Sequence, residues 1–205
     1  MAVCPRVGAD RAATDEPQSS AACARPLNAQ SPCGSKVRGS MLSQVGELSI
    51  AAGDNFRFVV AKHLKYEAKS NAASLLTALL QHPAYRDTFL PPDSGQHDSV
   101  DVHGPFVLSD IRLEDFEPIE ARSARQAIEA FWADESHGLP KPEATEQIRR
   151  LILELDLDHA KTLRLEKSGA SQEHAPSGIP RDGFQEFVIF NPEQRVVTLL
   201  VLRID

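Results

Sequence analysis

The sequence predicts an α+β fold in which a mainly antiparallel sheet packs with about four helices. Two observations lead to this class. Between residues 54 and 155 apolar residues recur mostly at helical spacing. The C-terminal third instead alternates as strands do, and a short turn sequence joins its last two strand candidates. Strands that follow each other across a short turn pair as an antiparallel hairpin, so a C-terminal meander is expected.

Length and composition favour one globular domain. The 205 residues are 41% hydrophobic and 25% charged, with a formal net charge of -7. Proteins that bind nucleic acids or anionic membranes normally cluster Lys and Arg, so neither is an expected partner. The longest apolar run, Val196–Leu202, is far shorter than the roughly 20 residues of a membrane-spanning helix. The N-terminus lacks the apolar core of a secretory signal, and a cytoplasmic location is therefore predicted.

Residues 1–40 differ from the remainder of the chain. They contain all three cysteines, Cys4, Cys23 and Cys33, at spacings that match neither a zinc site nor a redox motif. Five basic residues against three acids give them a charge of +2, whereas residues 41–205 carry 17 bases and 26 acids, or -9. The segment is predicted to be a disordered leader, or an artefact if Met41 is the true start, and 41–205 a single domain.

Two helices are predicted in the first half of this domain. The stretch "DNFRFVVAKHLKYEAK", which begins at Asp54, has helical spacing, although "FRFVV" alone would also suit a strand. Its inward positions are Phe56, Val59, Val60, His63 and Leu64. The stretch "SNAASLLTALLQHP" predicts a second helix that Ser70 caps and Pro83 ends.

Two further helices are predicted between residues 118 and 155. The third begins near Pro118, because proline favours the first turn and nearby acids oppose the positive end of the helix dipole, and it ends at Gly138. Its core face is Ala124, Ala127, Ile128 and Phe131. The fourth begins at Pro142. Its core face is Ala144, Ile148, Leu151, Ile152 and Leu155.

Strands are predicted after residue 99 and in the C-terminal third. Val100, Val102, Phe106 and Leu108 fit strand segments interrupted at "HGP". The stretches "HAKTLRLEK", "FQEFVIF" and "RVVTLLVLRI" follow, and "NPEQ" suits a type I turn between the last two. The final strand is apolar on both faces, so it should lie centrally in the sheet or be buried in an oligomer, which hints at a homodimer.

The stretch "GQHDSVDVHG", residues 95–104, is the candidate metal site. Its candidate ligands are His97, Asp98, Asp101 and His103. Such side chains bind zinc, iron or manganese, and a divalent metal is the only cofactor considered. If residues 97–103 form a strand, His97 and His103 stand roughly 20 Å apart, too far to share an ion. The site therefore requires a compact loop.

Other chemistry is poorly represented. The sequence has no G-x-S-x-G elbow and no glycine-rich phosphate loop, and its cysteines lie outside the predicted domain. The leading hypothesis is a small bacterial-type, non-enzymatic protein-binding domain of the immunity, inhibitor or adaptor kind. Its partner-binding candidates are Asp110, Glu114, Asp115 and Glu117, with His174 and Arg181 of the long loop 168–183. The alternative is a metal-assisted hydrolase using the 97–103 cluster; a sheet that binds a ligand under this loop is a third hypothesis.

Overall fold

The computed structural model describes residues 41–53, 57–67, 70–89, 101–166 and 183–204. Three α-helices lie within these ranges: α1 (Ala72–Gln81), α2 (Ala121–Ala133) and α3 (Pro142–Leu155). The strands are β1 (Ser43–Ala51), β2 (Arg57–Lys65), β3 (Val102–His103), β4 (Phe106–Val107), β5 (Phe116–Ile119), β6 (Lys161–Leu165), β7 (Phe184–Asn191) and β8 (Val196–Ile204). The predicted leader, residues 1–40, and the loop with His174 and Arg181 lie outside the described residues.

Six strands form one antiparallel sheet in the order β1-β2-β8-β7-β6-β5, and β3 pairs with β4 in a separate hairpin. Alternate residues of each strand point to opposite faces, so the sheet has two cores. Val197, Leu199 and Val201 of β8 pack on the side of α1, whereas Leu200 and Leu202 pack on the side of α2 and α3. The predicted α+β class with a mainly antiparallel sheet is confirmed, with three described helices instead of about four.

The C-terminal hairpin follows the sequence prediction. β8 is third in the sheet order, and all seven residues from Val197 to Arg203 are buried. Its apolar residues on both faces are therefore explained by the two cores of a single chain. In the turn, the side chain of Asn191 accepts a hydrogen bond from the backbone N–H of Gln194 at 2.9 Å.

The helix predicted from Asp54 is wrong, because residues 57–65 are the strand β2. The helical spacing arose because β2 is apolar on both faces: Val60 and Leu64 pack against α1, whereas Val59 and Ala61 pack against α2 and α3. Strands β1 and β8 flank β2 and satisfy its backbone. β1 itself was not predicted, since most of its side chains are exposed and its pattern is weak.

The other helix predictions hold with shifted ends. The side chain that caps α1 is Asn71, which accepts the N–H of Ser74 at 2.8 Å, and not Ser70. α2 begins at Ala121, because Pro118 belongs to the edge strand β5. α3 begins at Pro142 and buries all five predicted core residues. No helix within the five described ranges is both long and apolar enough to cross a membrane.

The histidine on β2 makes stability depend on pH. His63 is half-buried, and its Nδ1 lies 3.0 Å from the hydroxyl of Thr198. Burial lowers the pKa of His63 below 6.5, and the nearby Glu154 offsets this only in part. The unfolded chain therefore binds the proton more readily. The histidine's contribution is complete above pH 6.5 and is lost as the pH falls through the lower folded pKa.

We expect His63→Gln, whose amide can still reach Thr198, to lose less unfolding free energy than the parent chain on acidification below pH 6.5. Urea denaturation across a pH series measures the two slopes. Equal slopes would contradict the assignment.

Candidate functional site

Five polar side chains, four of them buried and Asp87 half-buried, meet between the sheet and α1, and we call them the buried polar centre: Lys62, Tyr85, Asp87, His103 and Glu186. Lys62 on β2 and Glu186 on β7 project from the sheet on the α1 side, in phase with Val60 and Val188. The other three come from the segment after α1 and from β3. The sheet thus supplies one cation and one carboxylate to the centre.

Local backbone contacts hold Asp87 and His103 next to the lysine and the glutamate that the sheet supplies. Asp87 forms a parallel bridge with His103, and its carbonyl accepts the N–H of Gly104 at 2.8 Å. Gly104 has a positive φ of 51°, and a Cβ at this position would lie 2.3 Å from the ring of Phe184. Only glycine satisfies both conditions without strain, so the position of His103 depends on it.

His103 is enclosed by hydrogen bonds and rings. Its ring stacks on that of Tyr85, with centroids 3.7 Å apart and 9° between the planes. Nδ1 donates to the carbonyl oxygen of Tyr85, and Nε2 lies 2.5 Å from Oε2 of Glu186. The rings of Phe89 and Phe184 lie nearly perpendicular to the imidazole, with centroids 5.1 and 5.9 Å from its own. Because a carbonyl oxygen only accepts, Nδ1 carries a proton and Nε2 faces the carboxyl group.

Tyr85 completes this chain of hydrogen bonds. Its hydroxyl donates to Oε1 of Glu186 at 3.0 Å. Burial raises the pKa of Tyr85 well above 10.0, and the carboxylate of Glu186 raises it further. The phenol therefore stays protonated and remains a donor at any physiological pH. Both oxygens of Glu186 are thereby occupied, one by a phenol and one by an imidazole.

Lys62 forms the second half of the centre. Its ammonium group donates to the carbonyl of Ala84 at 3.1 Å and to the carboxylate of Asp87. It also lies 5.0 Å from the centre of the Phe89 ring. Lys62 is only 5% exposed, and a buried ammonium requires such partners because an unpaired one is strongly disfavoured. The lysine thus ties the segment after α1 to the middle of β2.

A histidine hydrogen-bonded to a carboxylate is the core of many acid–base catalysts, but here the pair faces inward. The side chains of His103 and Glu186 have no exposed surface, and both ring nitrogens already have protein partners. A general base must reach the proton that it abstracts. In this arrangement the pair instead joins β3 and the segment after α1 to β7.

The predicted metal ligands are not brought together in the part of the chain that is described. Asp101 is exposed, whereas His103 is buried and would have to leave Glu186 or Tyr85 to bind an ion. His97 and Asp98 lie outside the described residues. Among the described residues, no group of three or more His, Cys, Asp or Glu side chains is placed to hold a metal. The four-residue site stays a prediction.

The predicted partner-binding acids lie on and before β5. Asp110, Glu114 and Glu117 are exposed, and their role in binding a partner stays a prediction. Asp115 is half-buried, and its carboxylate accepts the N–H of Arg112 at 2.7 Å, which shows a local structural role. His174 and Arg181 lie outside the described residues.

Sequence reasoning missed Lys62 and Glu186, although a signal was present. Each is a charged residue within an apolar strand, in "FVVAKHL" and "FQEFVIF". Charged residues are almost never fully buried unless they are paired, so such an interruption indicates a partner elsewhere in the chain. What the sequence does not reveal is that the partners come from residues 84–103.

A shallow surface groove of about 400 Å³ lies between the start of α1 and the segment before β6. Tyr66, Leu75 and Phe190 form its floor, and Asp158, His159 and Lys161 lie at its rim. It is open to solvent and is not the deep apolar pocket that a ligand-binding sheet would require.

The fold and the centre define an α+β protein whose sheet carries helices on both faces and a buried His–Glu pair on one. No protein-family model matches this chain, and no curated protein does. Among solved structures, the chain is similar to citrus MAF1 in crystals of space group C 2 2 21, with 15% identity over 73% of this chain and 90% of that one and a TM-score of 0.34. For citrus MAF1 in space group P 31 2 1 the identity is 14% over 73% and 87% of the two chains, with a TM-score of 0.32.

Proposed function

We propose that this chain is a non-enzymatic protein-binding domain, of the immunity, inhibitor or adaptor kind, that docks a basic segment of another protein. The docking surface is the acidic segment, residues 110–120. The observation that carries the proposal is its row of exposed carboxylates around an exposed leucine. The inward-facing His103–Glu186 pair, which offers no accessible base, supports a binding role over a catalytic one.

Charge is concentrated in the acidic segment. Asp110, Glu114, Asp115, Glu117 and Glu120 oppose the single base Arg112, so these 11 residues carry -4 of the chain's net -7. Such a field attracts a basic partner over a distance of about 10 Å at moderate salt and speeds its association.

An exposed apolar side chain lies among these carboxylates. Leu113 is 40% exposed, one of five large hydrophobic side chains so exposed among the described residues. Interfaces commonly combine a central apolar anchor with a charged rim that sets partner choice and orientation. A partner that covers Leu113 would therefore gain affinity, and the carboxylates would select its charge.

The partner would contact side chains and would not extend the sheet at β5. The N–H of Glu166 on the β6 side donates to the carbonyl of Asp115, so Phe116 and Pro118 direct their backbone away from β6. Proline has no N–H, and that of Phe116 already donates to the carbonyl of Leu113. The free edge at β5 thus lacks the donors that an added strand needs.

The test is a charge reversal with a matched control. We expect Glu114→Lys/Glu117→Lys to weaken binding to the partner at least about tenfold, a loss of about 1.4 kcal/mol. Glu67→Lys/Glu129→Lys makes the same change in net charge at exposed sites elsewhere and should leave affinity within about twofold. The partner is captured from the native host, identified by mass spectrometry, purified and titrated against all three proteins.

Binding should also weaken as ionic strength rises from about 0.05 M to about 0.5 M. Equal affinities of the two charge-reversed variants would contradict this docking surface. Failure to recover any stoichiometric partner would contradict the proposed function.

A further inference from the structure

The geometry points to self-association of this chain through β1, at the opposite edge of the sheet from the acidic segment. We infer that two copies pair their β1 strands antiparallel about a twofold axis at Ser49, which makes one continuous sheet. This interface is independent of the proposed docking surface, because β1 and β5 are the two ends of the sheet.

The two edge strands, β5 and β1, differ in how well they are protected against pairing with another strand. β5 carries Pro118 and has only four residues. β1 has nine, "SQVGELSIA", with no proline, no lysine or arginine and a single acid, Glu47. Within the described ranges no strand pairs with its outer side. A long edge without these protective features is a template for another strand.

The backbone groups available on β1 can be assigned from its inner partner. The N–H of Ala52 donates to the carbonyl of Arg57, so by alternation Ile50 and Leu48 also direct their backbone toward β2. Glu47, Ser49 and Ala51 therefore present N–H and C=O outward. The side chains of these three residues are exposed and lie on the α1 side of the sheet.

One register matches this stretch to a second copy of itself. With Ser49 opposite Ser49 of the other copy, Glu47 meets Ala51 and Leu48 meets Ile50, so no like charges oppose each other. The regular pairing of β1 runs from the bulge at Gln44/Gly46 to Ala51, and this register uses all three outward residues. Shifting it by one pair, toward 48 or 50, runs the pairing into the bulge or into the turn at Gly53, which has a φ of 93°. The turn and the bulge thus limit the interface to residues 47–51.

Exposed apolar side chains at both ends of β1 indicate a second copy as the occupant. Of the five large exposed hydrophobic residues among those described, Val45 lies at the beginning of β1 and Met41 lies two residues before it. Leu139, 75% exposed, lies at the other end, two residues before Lys141, whose N–H donates to the carbonyl of Ala52 at 2.9 Å. An antiparallel twofold brings the end of one β1 to the beginning of the other. Val45 of one copy then lies at the same end of the interface as Leu139 of the other.

The first experiment measures mass and register on the full chain with Cys4, Cys23 and Cys33 replaced by serine. Light scattering should give twice the 22.4 kDa of one chain. Ser49→Cys should oxidise to a disulfide-linked dimer, because directly opposite Cα atoms of a hydrogen-bonded pair are about 5.5 Å apart, within disulfide range. Glu47→Cys is the matched control. Its two copies would lie at least about 13 Å apart and should not cross-link.

The second experiment removes the outward donor. Ser49→Pro removes the N–H that faces the second copy and leaves all hydrogen bonds to β2 in place, so it should halve the mass. Ser49→Thr keeps that N–H and should stay dimeric. If Ser49→Pro loses cooperative unfolding, Ser49→Lys replaces it, since it keeps the backbone and opposes two like charges. A monomeric parent at about 100 μM, where even a dimer of modest affinity would form, overturns the inference. Equal cross-linking at positions 47 and 49 would also overturn it. A dimer that persists in Ser49→Pro would do the same. Glu114→Lys/Glu117→Lys should remain dimeric, which separates this test from that of the docking surface.

Discussion

Replacing Glu186 by alanine is expected to lower the free energy of unfolding by about 3–5 kcal/mol, one of the two largest effects we anticipate for a single substitution. The change removes the acceptor of the Tyr85 hydroxyl and the partner of His103 Nε2 together. Both groups are buried, so water cannot replace the lost hydrogen bonds without opening the core. The cavity left by the side chain adds to the loss.

Glu186→Gln is the informative comparison. Its carbonyl can accept from Tyr85, and its amide can donate to a neutral His103, so we expect a smaller loss of about 1–2 kcal/mol. Glu117→Ala, at an exposed site, should change stability by no more than about 0.5 kcal/mol. Urea unfolding followed by circular dichroism measures all three. Equal losses for alanine and glutamine would show that the hydrogen bonds of the buried polar centre contribute little.

Replacing Arg57 by methionine is expected to cost a similar amount, about 3–5 kcal/mol. The Arg57 side chain is fully buried on the face that packs α2 and α3. Its guanidinium donates to the carbonyls of Trp132, Asp134 and Gly138 at 2.8, 2.6 and 2.5 Å. These carbonyls lie at the C-terminal end of α2 and just after it, where the helix dipole favours a cation. Methionine retains much of the volume but leaves the three acceptors without these donors.

Two controls separate the hydrogen bonds from charge and volume. Arg57→Lys keeps the charge but lacks the planar set of donors that reaches several carbonyls at once, so an intermediate loss is expected. Arg150→Met removes a side chain that is 70% exposed and paired only at the surface, and it should cost no more than about 1 kcal/mol. Thermal unfolding should show Arg57→Met melting on the order of 10 °C lower. A loss equal to that of Arg150→Met would contradict the capping role.

Arg57, Lys62 and Glu186 are charged residues in the interior of the described part of the chain, and each holds a particular segment. On one face of the sheet Arg57 holds the end of α2, and on the other Glu186 and Lys62 hold the segment after α1 and β3. Each charge satisfies backbone carbonyls or side chains of a segment that is otherwise attached through packing. Removal of one charge should therefore loosen a particular segment as well as lower global stability.

The elements with strong local periodicity were predictable. α3 shows this best: Pro142 marks its first turn, and the buried positions follow the 3.6-residue period. β8 was predicted to lie centrally or to be buried in an oligomer, because seven of its nine residues are apolar and they occupy both faces. In both, the residues that determine the element are neighbours in sequence.

The two strands that were not predicted, β1 and β2, lack such a local signal. β2 combines apolar residues on both faces with a spacing that also fits a helix, and only its pairing with β1 and β8 decides between the two. β1 is mostly exposed and forms because β2 offers an edge. For short apolar runs the period is ambiguous, so tertiary pairing determines the outcome.

For the candidate site too, some features were visible in the sequence and others only in the tertiary structure. The sequence indicated that His103 and the acids of 110–120 were notable, and it determined the α+β class, the C-terminal hairpin and α3. Only the tertiary structure decided that His103 faces Glu186, 83 residues away, and that Lys62 meets Asp87. It also decided that β1 lies at an edge of the sheet. Local patterns show which face of an element is apolar. A buried charge needs a partner, and that partner comes from a segment that is distant in sequence, so only the tertiary structure identifies it.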